Sequence, residues 1–145
     1  MMETKYDVGK KVIILSNQVK RSLDRAAEDS GITGVQARVL GILAEAQKNN
    51  RDVFQKDIEE KLQIRRSSVT GVLQLMEKKG LISRESVSYD ARLKKIMITK
   101  ETKKLEDHLH ENIYIFEQNL IKGVSNKDLD TFLSVINILS RNMNV

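Results

Sequence analysis

Apolar side chains near the start of the chain, Val8, Val12, Leu15, Val19, Leu23 and Ala26, recur every three or four residues. That spacing puts them on one helical stripe and predicts a helix over 6–29. Thr33 is placed to cap a second helix, whose Val35, Val39, Ile42, Leu43 and Ala46 form a core-facing stripe until Asn49-Asn50 ends it. Asp52-Val53-Phe54 reads as a very short strand leading into a helix with Ile58 and Leu62 on one face. From Arg66 to Lys79, Val69, Leu73 and Met76 point inward with Val72 beside them. Arg66, Ser67, Thr70, Gly71 and Gln74 are left towards the opposite face, which is small and polar. Arg66 or Ser67 stands where an N-cap belongs, so capping accounts for one polar side chain there but not for Thr70 and Gln74.

Lys78-Lys79 followed by Gly80 is a helix stop, with cations in the last turn and a glycine free to take positive φ. Leu81-Ile82 restarts the core. Two strand-like runs follow, 82–87 and 93–99, the second alternating Ile96 and Ile98 against Lys95, Met97 and Thr99, with the five residues 88–92 as a hairpin loop. Thr99 is placed to cap a long helix carrying Leu105, Leu109, Ile113, Phe116 and Leu120. After Gly123, Ser125 or Asn126 caps a last helix with Leu129, Phe132, Leu133, Ile136 and Leu139. The order is helix, helix, short helix, helix, hairpin, and two more helices. It predicts a mainly α (α+β) winged helix-turn-helix with a two-stranded wing: a single domain over 1–145, a lobe at 33–100, and long flanking helices at 1–30 and 101–145.

Charge sharpens this picture. Residues 51–104 hold 14 Lys or Arg against 8 Asp or Glu, whereas the rest of the chain holds 11 against 12. A basic module on near-neutral flanks is the footprint expected of a surface that meets phosphates. The flanking helices carry more apolar stripe than a small winged lobe needs, with Ile115, Ile121, Val135 and Ile138 widening it. Such a surface marks an interface, and the expectation is a two-fold homodimer through the termini. The chain has no cysteine, which removes disulfides, thiolate metal sites and thiol redox switches, and no proline to break the periodic segments. No stretch is apolar for long enough to span a bilayer, and the acidic start followed by a short apolar run argues against a secretory signal. The expected location is the cytoplasm of a prokaryotic cell.

The run Ile64-Arg65-Arg66-Ser67-Ser68-Val69-Thr70-Gly71-Val72-Leu73-Gln74-Leu75-Met76-Glu77-Lys78-Lys79-Gly80-Leu81-Ile82-Ser83-Arg84 resembles the MarR-type transcriptional regulators. A second likeness, Asp90-Ala91-Arg92 with Ile98-Thr99 beyond it, falls where family members carry Asp-x-Arg and Leu-Thr. The resemblance extends over nearly the whole chain. It implies a transcription regulator, most often a repressor, in which Arg92 enters a minor groove while Asp90 shapes the wing. It also implies release by a small aromatic or anionic effector bound between the dimer helices and the DNA-binding lobe, for which Tyr6, Phe54, Tyr114 and Phe116 are candidates.

From the residues themselves, the helix opening at Arg66 is the one expected in the major groove of double-stranded DNA. Arg65 or Arg66 suits a guanine or a phosphate. Ser67, Ser68 and Thr70 suit phosphates or thymine methyls, and Gln74 suits adenine. Arg84, Lys94 and Lys95 are backbone contacts in this reading. His108 and His110 lie two apart on a helix and diverge, so neither metal nor other cofactor is expected. No nucleophile motif, glycine-rich phosphate loop or spaced carboxylate pair suggests an enzyme. The alternative is a winged helix that contacts only proteins, against which Arg92 and the small polar outer face of residues 67–74 argue.

Overall fold

A computed structural model describes residues 7–144. Tyr6 and the expected first residue of the leading helix lie outside them. The chain divides into two compact units, Met1–Ile113 and Tyr114–Val145, with the boundary inside a helix.

The first unit opens with α1 (Val8–Glu28) and α2 (Gly34–Lys48). Thr33 caps α2 as its sequence requires. Its Oγ1 accepts from the Gln36 N–H at 3.2 Å, and the Gln36 side chain accepts from the Thr33 N–H at 3.0 Å. Asp24 of α1 adds a second tie, its Oδ1 accepting from the Gly34 N–H at 2.7 Å. A methyl on Gly34 would meet that oxygen at 2.8 Å, so only glycine allows α1 this close to the start of α2.

Helix α3 (Gln55–Leu62) ends on Gln63, in the left-handed region at φ 53°, and this tight turn leads into α4 (Arg66–Lys78). The end of α4 is a Schellman motif. Gly80 has φ 75°, its N–H donates to Glu77 O, and the Leu81 N–H reaches back to Met76 O at 2.9 Å. Leu40, Leu43, Ile58, Val69, Leu73, Met76 and Ile82 are fully buried together, so α2, α3, α4 and the start of the hairpin share one core.

The hairpin pairs β1 (Ile82–Val87) antiparallel with β2 (Asp90–Ile98). The expected five-residue loop is instead a two-residue turn, Ser88-Tyr89, closed by the pair Val87 and Asp90. The next pair is Ser86 with Lys94, so residues 91–93 form a bulge within the strand. Asp52-Val53-Phe54 is not a strand, since one bond, Ile96 N–H to Val53 O at 2.7 Å, ties it to the hairpin.

Thr99 does not cap the long helix. Its hydroxyl donates to Gly80 O at 2.7 Å, pinning the hairpin's exit to the end of α4, and a 3₁₀ turn (Lys100–Thr102) precedes α5 (Lys103–Leu120). In the first unit Leu109 of α5 is buried, while Val8, Val12 and Leu15 of α1 stay exposed. The second unit contains the end of α5 and α6 (Asn126–Met143), capped by Ser125, whose Oγ accepts from the Asp128 N–H at 3.1 Å. Phe132, Leu133, Val135, Ile136 and Ile138 of α6 are 41–50 % exposed. Among the described residues, no helix is long and apolar enough to cross a membrane.

Candidate nucleic-acid interface

Helix α4 is anchored on one face and open on the other. Val69, Leu73 and Met76 are buried, while Arg65, Arg66, Ser67, Ser68 and Gln74 are exposed. The N-cap is Arg65, extended at ψ 149°, and no side chain caps the helix. The serines sit inside the first turn, which corrects the expectation that one polar side chain here is spent on capping. The first turn therefore offers uncapped N–H groups, two hydroxyls and two guanidinium groups to solvent, an arrangement suited to an anion.

Thr70 is half-buried on the flank of α4 that borders α3, at the edge of the open face. Its Oγ1 accepts from Gln55 Nε2 at 2.8 Å across the helix-turn-helix. Gly71 lies beside it in the middle of α4, and a methyl added there would find open space.

The wing is organised by its bulge. Asp90 Oδ1 accepts from the Arg92 N–H at 2.9 Å and from Arg92 Nε at 3.2 Å, and Oδ2 accepts from Arg92 Nη2 at 3.3 Å. The Arg92 side chain, and after it the Arg92 backbone N–H, holds the Asp90 carboxyl below the usual carboxylate range. Asp90 is consequently ionised at neutral pH and keeps Arg92 at the tip with its side chain 90 % exposed. Pairs this open to solvent contribute little stability; what they fix is orientation.

The other wing cations are engaged within the protein. Lys94 Nζ donates to Ser86 Oγ at 2.6 Å, Lys95 Nζ lies 3.8 Å from Glu85, and Arg84 Nε lies 3.7 Å from Glu77 of α4. Arg84 is the most enclosed of the three, its buried Nε lacking any hydrogen-bond partner among the described residues. It braces β1 against α4.

The expected effector-lining residues are dispersed. Phe54 lies in the first unit, preceding α3, and Tyr114 and Phe116 lie in the second. A cleft of about 270 Å³ between α2 and α3 is lined by Glu45, Asp52, Asp57 and Glu60 against Arg51 and Lys61, a balance that does not suit an anion. Among the described residues no cluster of His, Asp or Glu is arranged to hold a metal ion.

A family model described as the MarR family matches residues 30–93, the span from the start of α2 to the wing bulge. The match covers 64 of the 145 residues, so this lobe is similar to that family. It is similar to the transcription regulator MarR from Oenococcus oeni, at 29 % identity over 95 % of this chain and 99 % of that one, with a TM-score of 0.79. Staphylococcus aureus MepR, solved in a DNA-binding conformation, shares 25 % identity over 94 % and 98 % of the two chains at a TM-score of 0.82. MepR solved as a DNA complex superposes at 0.86 over 97 % and 99 %, with 23 % identity, a likeness of fold.

Within this lobe, three residues outside the expected contact set stand out. Leu75 is 55 % exposed on the open face of α4, and Tyr89 is 68 % exposed in the two-residue turn of the wing. Tyr89 was readable as the centre of the hairpin tip, and Leu75 as the apolar residue out of phase with Val69, Leu73 and Met76. Gln55 was not readable, since its partner is 15 residues away.

Proposed function

We propose that this chain is a MarR-family transcription regulator that binds double-stranded DNA sequence-specifically as a homodimer, with α4 in the major groove and the wing along the flanking minor groove. The observation that carries this reading is the open, uncapped first turn of α4, bearing Arg65, Arg66, Ser67 and Ser68, beside a wing that presents Arg92. The DNA-bound MepR neighbour supports it by fold. Arg65 and Arg66 are exposed and carry no ion pair among the described residues, and Arg92, though paired with Asp90, is open to solvent. Ser67, Ser68, Thr70 and Gln74 face bases or phosphates, and Arg84, Lys94 and Lys95 lie along the backbone, with Asp90 holding the wing. The exposed apolar residues of α1 and of α6 support self-association, which places two α4 helices about 34–36 Å apart on a pseudo-palindromic operator. The outcome is repression in this reading. Release by a small aromatic or anionic effector rests on the family resemblance alone, and phenolic acids that raise the melting temperature while lowering DNA affinity would support it.

Titration of labelled genomic fragments at two salt concentrations tests the DNA reading. Arg65, Arg66 and Arg92 of two copies neutralise ~6 phosphates, so affinity falls roughly 10³-fold between 50 and 200 mM salt. Salt-insensitive binding, or no fragment bound above background, overturns it. Sedimentation tests the dimer, which requires twice the chain's 16.6 kDa.

A further inference from the structure

A threonine hydroxyl has one proton to donate and two lone pairs to accept with. In Thr70 one lone pair is taken by Gln55 Nε2, at 2.8 Å, from the first residue of α3. The proton is not spent inside the protein: among the described residues no acceptor receives it, in contrast to Thr131, whose hydroxyl bonds back to Lys127 O. Thr70 stands one residue before Gly71 in the second turn of α4, where side chains of a groove-bound helix approach base edges. Accepting from Gln55 keeps the hydroxyl proton off the side facing α3 and polarises the O–H, so that it donates more strongly elsewhere.

We propose that Gln55 is a specificity-determining positioning residue: by taking one of the two lone pairs of Thr70 and polarising its O–H, it favours Thr70 as a hydrogen-bond donor to the DNA. This inference rests on the proposed insertion of α4 into the major groove. A donor at that point favours a base with an acceptor edge, guanine through O6 or N7 or thymine through O4, and disfavours cytosine, whose major-groove edge presents an amino donor. A hydroxyl without this partner has both lone pairs free, accepts more readily, and would tolerate cytosine better. Gln55 itself touches no base in this arrangement. Its effect passes through Thr70.

Selection of bound sites from random duplex DNA by the full chain and three variants tests this. In Q55E the carboxylate accepts the Thr70 proton and reverses the hydroxyl. In Q55M the amide is lost at nearly constant length, and in T70V the hydroxyl is removed. Each variant is expected to lose at least ~5-fold of the discrimination against cytosine at one and the same position of each half-site, with the rest of the consensus intact. The double variant Q55M/T70V is expected to lose no more than T70V alone. The added negative charge of Q55E weakens binding to all sequences and cancels in the base ratio. Retained discrimination in Q55E and Q55M, or uniform weakening with an unchanged consensus, overturns the role of Gln55 while leaving DNA binding standing. A wild-type chain that selects no consensus overturns both.

Discussion

Gly71→Ala separates the stability of α4 from its use. Gly71 lies mid-helix with ordinary helical geometry, and the added methyl meets nothing within 4 Å. The substitution therefore relieves the entropic cost of a helical glycine with no clash, a gain of about 0.8–1.0 kcal/mol. For a chain of this size that is a rise in melting temperature of about 3 °C, or a higher urea midpoint at unchanged slope. In the proposed complex the same methyl would project towards the groove, where overpacking costs about 1–3 kcal/mol and the dissociation constant rises roughly tenfold or more. Gly41→Ala is the matched control. It is a helical glycine of α2, exposed where Gly71 is half-buried, and it too has open space around a new methyl, so it stabilises by a similar amount and leaves DNA affinity unchanged. Urea denaturation and a fluorescence titration on one operator duplex give both numbers. A Gly71→Ala chain that is stabilised yet binds DNA like wild type would refute the claim that this face of α4 meets DNA. A destabilised one would refute the reading of Gly71 as an unencumbered helical glycine.

Gly80→Ala is expected to act oppositely, because φ 75° lies in the left-handed region, costing about 1–2 kcal/mol with no steric clash; a raised urea midpoint would contradict the Schellman assignment. Glu106 of α5 has its pKa raised, first by burial and then by the Asp107 charge, against the opposing pull of His110 and Lys48. A carboxyl whose folded pKa is raised stabilises below its unfolded pKa and loses that contribution as pH rises through the folded value, so Glu106→Gln should raise the urea midpoint at pH 7 and lose this advantage below about pH 4. An equal effect at both pH values would contradict the assignment. Asp90 is the reverse case. Its lowered pKa means that the clamp on Arg92 is present above the ordinary carboxylate range and lost only as pH falls through the lowered value, which an NMR titration of the carboxyl checks. Asp90→Asn should weaken DNA binding while leaving the melting temperature unchanged.

What could be read from the sequence was local chemistry. Thr33, Gly80 and Ser125 punctuate helices through bonds to residues within a turn of themselves, and the buried stripe of Val69, Leu73 and Met76 follows from the helical period alone. The wing was found but not its register. Strand propensity began the second run at Leu93, whereas Asp90 already pairs with Val87 and its bonds to Arg92 hold residues 91–93 in the strand as a bulge. Thr99 looked like a cap because its type and place fit one, yet a carbonyl 19 residues upstream takes its hydroxyl. The missing cap on α4 and the link from Gln55 to Thr70 depend on how α3 and α4 meet across the Gln63 turn, a tertiary fact that periodicity does not encode. Arg84, read as a phosphate contact, has Glu77 beside it for the same reason.

The central claim is that two copies of α4 read successive turns of one duplex. Selection of bound sequences from a random duplex library by the full chain tests it most directly. The account predicts a pseudo-palindrome whose half-sites are centred about 10–10.5 base pairs apart. A single unrepeated motif, or no enrichment over the starting library, would contradict it.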